Sequence, residues 1–147
     1  ISSLQVPNRR ERLPVIFLVL MYYSFTYYLF QINGEDSLRF FGLFLSFLSG
    51  GLIITVLSFI ITFKWKISIH ALGISGLAGG FLGMTELLYP INNFEQMRIF
   101  NTVLLILVGV VCTSRLILKA HSINQVIAGV LLGGTIEYLV VSSGFYF

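Results

Sequence analysis

The sequence predicts an all-α fold, a polytopic transmembrane helical bundle of about five spans. Three observations predict it. Hydrophobic residues make up 56% of the 147 residues and charged residues only 10%, against about 25% charged in a soluble domain. The apolar residues fall into five runs, and about 20 such residues cross a ~30 Å hydrocarbon core. Polar residues gather in the short links between the runs. Lipid offers no partner to an open sheet edge, and the alternation of a transmembrane barrel is absent, so the runs are expected to be helices.

The first run, 13–31, is entered through Pro14, which a first helical turn tolerates. The second is 38–63. The third, 67–89, carries Gly73, Gly76, Gly79, Gly80 and Gly83. The fourth is 99–118, and the fifth, 123–141, carries Gly129 and Gly133. Small residues at this spacing let helix backbones approach closely in a membrane. The third and fifth spans are therefore expected inside the bundle and the first at its periphery. Tyr22, Tyr23, Tyr27 and Tyr28 read as a lipid-facing or packing stripe. The links are short and mark no second domain, so residues 1–147 read as a single membrane domain. The chain opens on Ile1, and an upstream segment is expected before it.

Short links force neighbouring spans to run antiparallel and sort the charges by face. Arg9, Arg10, Arg12, Lys64, Lys66, Arg115 and Lys119 fall on one face with His70 and His121. Glu35, Asp36, Arg39, Glu95 and Arg98 fall on the other. The positive-inside rule makes the basic face cytoplasmic, but a phosphate site would gather the same cations. Basic residues separated by lipid-embedded spans do not suit nucleic acid. Cys112 alone forms no internal disulfide. A heme site wants paired mid-span histidines and a zinc site a third ligand, so no metal or cofactor is expected. Glu86 and Glu137 each lie sixteen residues beyond a histidine, ~24 Å away at 1.5 Å per residue. They read as interfacial acids or as contacts with another subunit.

One stretch carries chemistry. Ser114 and Arg115 are followed after five residues by His121, then by Gln125, Val126, Gly129 and Gly133. This resembles the third signature of the type 2 phosphatidic acid phosphatase and haloperoxidase superfamily: S-R, five residues, H, three residues, D-V, two residues, G, three residues, G. The family's aspartate is Gln125 here. The second signature, P-S-G-H, is matched by Ser68 and His70 in Ile67-Ser68-Ile69-His70. For the first signature, only Arg12 ahead of Pro14, or Lys66, stands in.

The resemblance implies that His121 attacks phosphorus, that His70 protonates the leaving oxygen, and that Ser68, Ser114 and Arg115 hold phosphoryl oxygens, with Lys66 and Arg12 as further phosphate ligands. It implies an integral membrane enzyme acting on a lipid phosphate or diphosphate, such as phosphatidic acid or a polyprenyl diphosphate, in a bacterial inner membrane, with membrane lipids as partners. The residues themselves support anion binding. Arg presents a planar fork to phosphate oxygens, and the start of the fifth helix offers unpaired N–H groups and a favourable dipole. Gln125 leaves two readings open. A neutral amide supplies no charge to imidazolium, and the comparable acid-to-amide change in a protease triad costs about 10⁴ in rate. Ser122 and Gln125 also make a capping box, S-x-x-Q. The protein is then either a phosphatase or a degenerate member serving as a structural or lipid-binding subunit of a larger membrane complex.

Overall fold

The computed structural model describes residues 9–33, 39–88 and 94–147, and side chains at all of these except 9–12, 33, 39, 40 and 94. The expectations for the side chains of Arg9, Arg10, Arg12 and Arg39, and for Glu35 and Asp36, lie outside the described residues. Five helices hold the rest: α1 (Arg9–Asn33), α2 (Arg39–Lys64), α3 (Ile69–Leu87), α4 (Phe94–Ile117) and α5 (Ile123–Ser142). No strand occurs among the described residues. α1, α2, α4 and α5 each contain a stretch long and apolar enough to cross a membrane. α3, at 19 residues, is the shortest of these five helices.

Two helices begin before their apolar runs. α4 starts at Phe94, ahead of the run at 99, with Glu95 in its first turn. Hydropathy marks where a helix enters lipid, not where the backbone starts to coil. α1 likewise starts at Arg9, so Pro14 lies inside it rather than in its first turn. There the ring has no N–H to give to the carbonyl four residues back.

The centre of the bundle is the pair α3 and α5, which run parallel in close contact. A Cβ added at Gly129 would stand 2.7 Å from the Ser68 carbonyl oxygen, and one at Gly83 would stand 2.7 Å from that of Tyr138. Cβ atoms at Gly133 and Gly79 would overlap the backbone of Leu72 and Gly134. Side-chain methyls at these positions would push the two axes apart, so dispersion contacts along the whole pair depend on their absence. Ser75 adds a polar cross-link, its hydroxyl reaching the carbonyl oxygens of Leu72 at 3.1 Å and Gly129 at 3.3 Å.

The other helices surround this pair. α2 runs antiparallel across it, with Ile54 against Leu72 in a small apolar core. Its buried Ser46, Thr55, Ser58 and Thr62 donate their hydroxyls to carbonyl oxygens of α2 itself, at 2.6–3.0 Å. α4 packs on α3, where Asn101 donates to Thr85 Oγ1 at 2.8 Å. α1 packs on α2 alone among the described helices, through Tyr27, Leu45 and Leu48. Its outer face, with Val15, Leu18, Tyr22 and Phe25, is exposed and apolar, as is that of α4 with Ile99, Val103, Ile106 and Val110. Faces of this extent mark a lipid environment.

Candidate functional site

Four short segments meet at one end of the bundle: the α2–α3 turn, the α4–α5 turn and the first turns of α3 and of α5. Hydrogen bonds between described residues join them. Lys66 Nζ donates to the Ala120 carbonyl oxygen at 2.9 Å. The Ser68 N–H donates to the Gln125 carbonyl oxygen at 3.2 Å. Residues far apart in sequence are thereby held together, because α3 and α5 are parallel and start level. The matched signature glycines have a structural reason here. Gly129 lets α5 lie on the Ser68 carbonyl, and that contact sets where α5 begins relative to α3.

Each predicted residue has a definite place. Ser68 is fully buried and caps α3, its hydroxyl accepting from the Ala71 N–H at 3.4 Å. Its role as α3 N-cap engages the oxygen that the resemblance assigns to phosphate. His70 is an exposed residue of the first turn of α3. Ser114 is half-buried and donates to the Val111 carbonyl oxygen at 2.7 Å. Arg115 lies in the last turn of α4, half-buried, and its buried Nε has no hydrogen-bond partner among the described residues. Buried donors without partners are uncommon, and such a group invites an acceptor. The side chain of Arg12 lies outside the described residues.

The α4–α5 turn carries a feature no spacing foretold. Lys119 adopts φ 49°, the left-handed region. The Lys119 N–H donates to the Leu116 carbonyl oxygen at 2.9 Å and the Ala120 N–H to that of Arg115 at 3.1 Å. This is a Schellman ending of α4, at whose C′ position glycine is usual. A lysine there strains the backbone, and it turns the chain sharply from Arg115 to His121 in six residues.

His121 and Gln125 form the central contact. His121 Nδ1 lies 3.0 Å from Gln125 Oε1, and the Ser122 N–H donates to the same Oε1 at 3.3 Å. The Ser122 N–H can only donate, so the amide presents its oxygen to both groups. In the neutral ring His121 then carries its proton on Nδ1, and Nε2 holds the lone pair. Gln125 therefore does two jobs with one atom: it closes the returning half of a capping box and sets the tautomer of His121. What it lacks is charge.

The two acids of the apolar runs sit in different surroundings. Glu86 is exposed and accepts a hydrogen bond from Tyr138 of α5. Glu137 is no interfacial acid: it is 5% exposed, packed over Gly50 and Gly80 inside the bundle. Its only sequence signal was that a carboxylate deep in an apolar run needs a reason. Among the described residues no group of three or more His, Cys, Asp or Glu side chains is placed to hold a metal ion.

A family model described as the PAP2 superfamily matches residues 15–147. No curated protein matches the chain, and no solved structure does.

Proposed function

This chain belongs to the PAP2 superfamily, and from that premise we propose that it hydrolyses a phosphate or diphosphate on a membrane lipid through a phosphohistidine. It is an integral membrane phosphatase-like protein. The lipid is phosphatidic acid or a polyprenyl diphosphate, and the membrane a bacterial inner membrane. The observation that carries the reading is the His121–Gln125 contact at the N-terminus of α5, which supports Nε2 of His121 as the nucleophile.

In this mechanism His121 Nε2 bonds to phosphorus as the bond from phosphorus to the leaving oxygen breaks, the ester oxygen of phosphatidic acid or the bridging oxygen of a diphosphate. His70 gives that oxygen its proton. Water then attacks the phosphohistidine, passing a proton to His70 and releasing inorganic phosphate. Arg115 places its guanidinium against phosphoryl oxygens, which would satisfy the buried Nε. The N–H groups opening α5 add an anion-binding end. Phosphoryl transfer needs mainly positioning and charge stabilisation, which these groups supply without a cofactor. Lys66, bonded to Ala120, anchors the turn that carries His121 and adds positive charge beside it.

One observation favours a second reading, a degenerate subunit that keeps the fold and binds lipid phosphate or other membrane subunits. Gln125 orients His121 but cannot stabilise the imidazolium, and its capping role would preserve it without catalysis. Phosphate release by purified protein from phosphatidic acid and polyprenyl diphosphate, compared with His121→Ala, separates the two. Release abolished by His121→Ala supports the enzyme, and no release above that variant supports the subunit.

A further inference from the structure

A groove of about 740 Å³ runs between α1, α2 and α3, lined by Val19, Tyr23, Phe47, Gly73, Leu77 and other apolar residues, with Glu137 of α5 as its floor. Its size falls in the ~300–1,000 Å³ range of small-molecule sites. Along α3 its wall extends from Ile69 to Met84, about 22 Å at 1.5 Å per residue, so it is long and narrow. α1 packs on α2 but not on α3, and the open side of the groove therefore faces lipid between α1 and α3.

Of the four polar side chains on this wall, Thr55 and Ser58 already have partners, and the Tyr23 hydroxyl lies within electrostatic reach of Glu137. Thr55 donates to the Gly51 carbonyl oxygen at 2.7 Å and Ser58 to that of Thr55 at 2.9 Å. Tyr138, beside Glu137 in sequence, donates to Glu86 instead. The Glu137 carboxyl accepts no hydrogen bond from a described residue, although it is 5% exposed and lines the groove. A carboxyl group held this way, with the Tyr23 hydroxyl on the same wall, offers an occupant of the groove a hydrogen-bonding end in otherwise apolar surroundings.

We propose that this groove binds a long-chain alcohol, with its hydroxyl on the Glu137 carboxyl and its hydrocarbon chain running along α3 toward Ile69. The shape selects one extended chain. The hydroxyl is selected over an ammonium because pairing two ions out of water carries the desolvation of both, whereas a hydroxyl donates one hydrogen bond at little cost. Glu137 lies level with Gly50 and Gly80, so the polar contact sits toward the end of the groove distant from His70. The proposal does not depend on hydrolysis at His121.

The test uses the whole protein in lipid nanodiscs. The probes are a sixteen-carbon alcohol with a mid-chain diazirine and the matching alkane and amine. The alcohol is expected to label α1 and α3 saturably, at a half-saturating concentration at least tenfold below that of the alkane. Glu137→Leu should erase that difference, and Glu137→Gln, which keeps an acceptor, should retain most of it. Gly73→Leu is the second variant. A Cβ at Gly73 meets nothing within 4 Å, so this side chain should enter the groove and block labelling while the melting temperature holds. Equal labelling by alcohol and alkane overturns the proposal. So does tighter labelling by the amine, or labelling untouched by both Glu137→Leu and Gly73→Leu. Cross-links between Leu77→Cys copies that exclude the alcohol would assign the groove to a second chain instead.

Discussion

The charge missing at position 125 is open to direct restoration. The family motif points to aspartate, but the structure points to Gln125→Glu, because Oε1 already lies 3.0 Å from His121 Nδ1 and a glutamate keeps that reach. The Ser122 N–H can still donate to the new carboxylate, giving the S-x-x-E capping box, and an acid suits a helix N-terminus. Folding should therefore be unharmed. Unit charges 4 Å apart interact by about 4 kcal/mol at an effective dielectric of 20. His121 and Gln125 are half-buried, so solvent removes part of this, and a hydrogen bond to a charged group contributes about 1.5–3 kcal/mol. Taking roughly 2–3 kcal/mol for the imidazolium that develops in the transition state, at 1.36 kcal/mol per tenfold, the rate should rise about 30- to 150-fold. The assay is phosphate release in single-turnover conditions from phosphatidic acid, a polyprenyl phosphate and a polyprenyl diphosphate. Gln125→Glu combined with His121→Ala should show no gain. If Gln125→Glu melts like the parent protein and releases no more phosphate than His121→Ala on every substrate, charge at this position is not the missing part and the catalytic reading fails.

Three further outcomes follow from the packing. Lys119→Gly should stabilise the protein by about 1 kcal/mol, since glycine adopts the left-handed region without the Cβ clash, and reversible unfolding in mixed micelles measures it. A loss of stability would mean that the lysine side chain outweighs its backbone strain. Gly133→Ala should cost about 1–3 kcal/mol or more through overpacking against Leu72 and Ser75, while Gly109→Ala, with nothing within 4 Å of its Cβ, should be neutral. Equal effects in the same melting assay would disprove the close α3–α5 approach. In a Cys112→Ser background, Lys119→Cys and Glu86→Cys should react with an impermeant maleimide from opposite sides of sealed vesicles. Reaction of both from one side would remove the parallel α3–α5 arrangement.

Much of this protein was legible in the chain. Apolar run lengths fix how many helices there can be, and short links force them to alternate. From that alone His70, Arg115 and His121 fall at one end. The spacing of Gly129 and Gly133 told that α5 packs tightly, because only a small residue permits backbone contact. The register of Ser114, Arg115 and His121 marked the candidate site, and Ser122 with Gln125 announced the cap. Other features depended on residues distant in sequence. Nothing local to Glu137 distinguishes an interfacial acid from one buried over Gly50 and Gly80. Nothing near Ser68 tells that its N–H bonds to Gln125, or near Lys66 that it bonds to Ala120. Lys119 shows no sign of left-handed backbone, since the strain is imposed by a turn that must deliver His121 to the start of α5. Hydropathy reports the solvent a segment lives in, averaged around the helix. Which side of the helix meets a neighbour, and what that side chain finds there, is decided by the other helices.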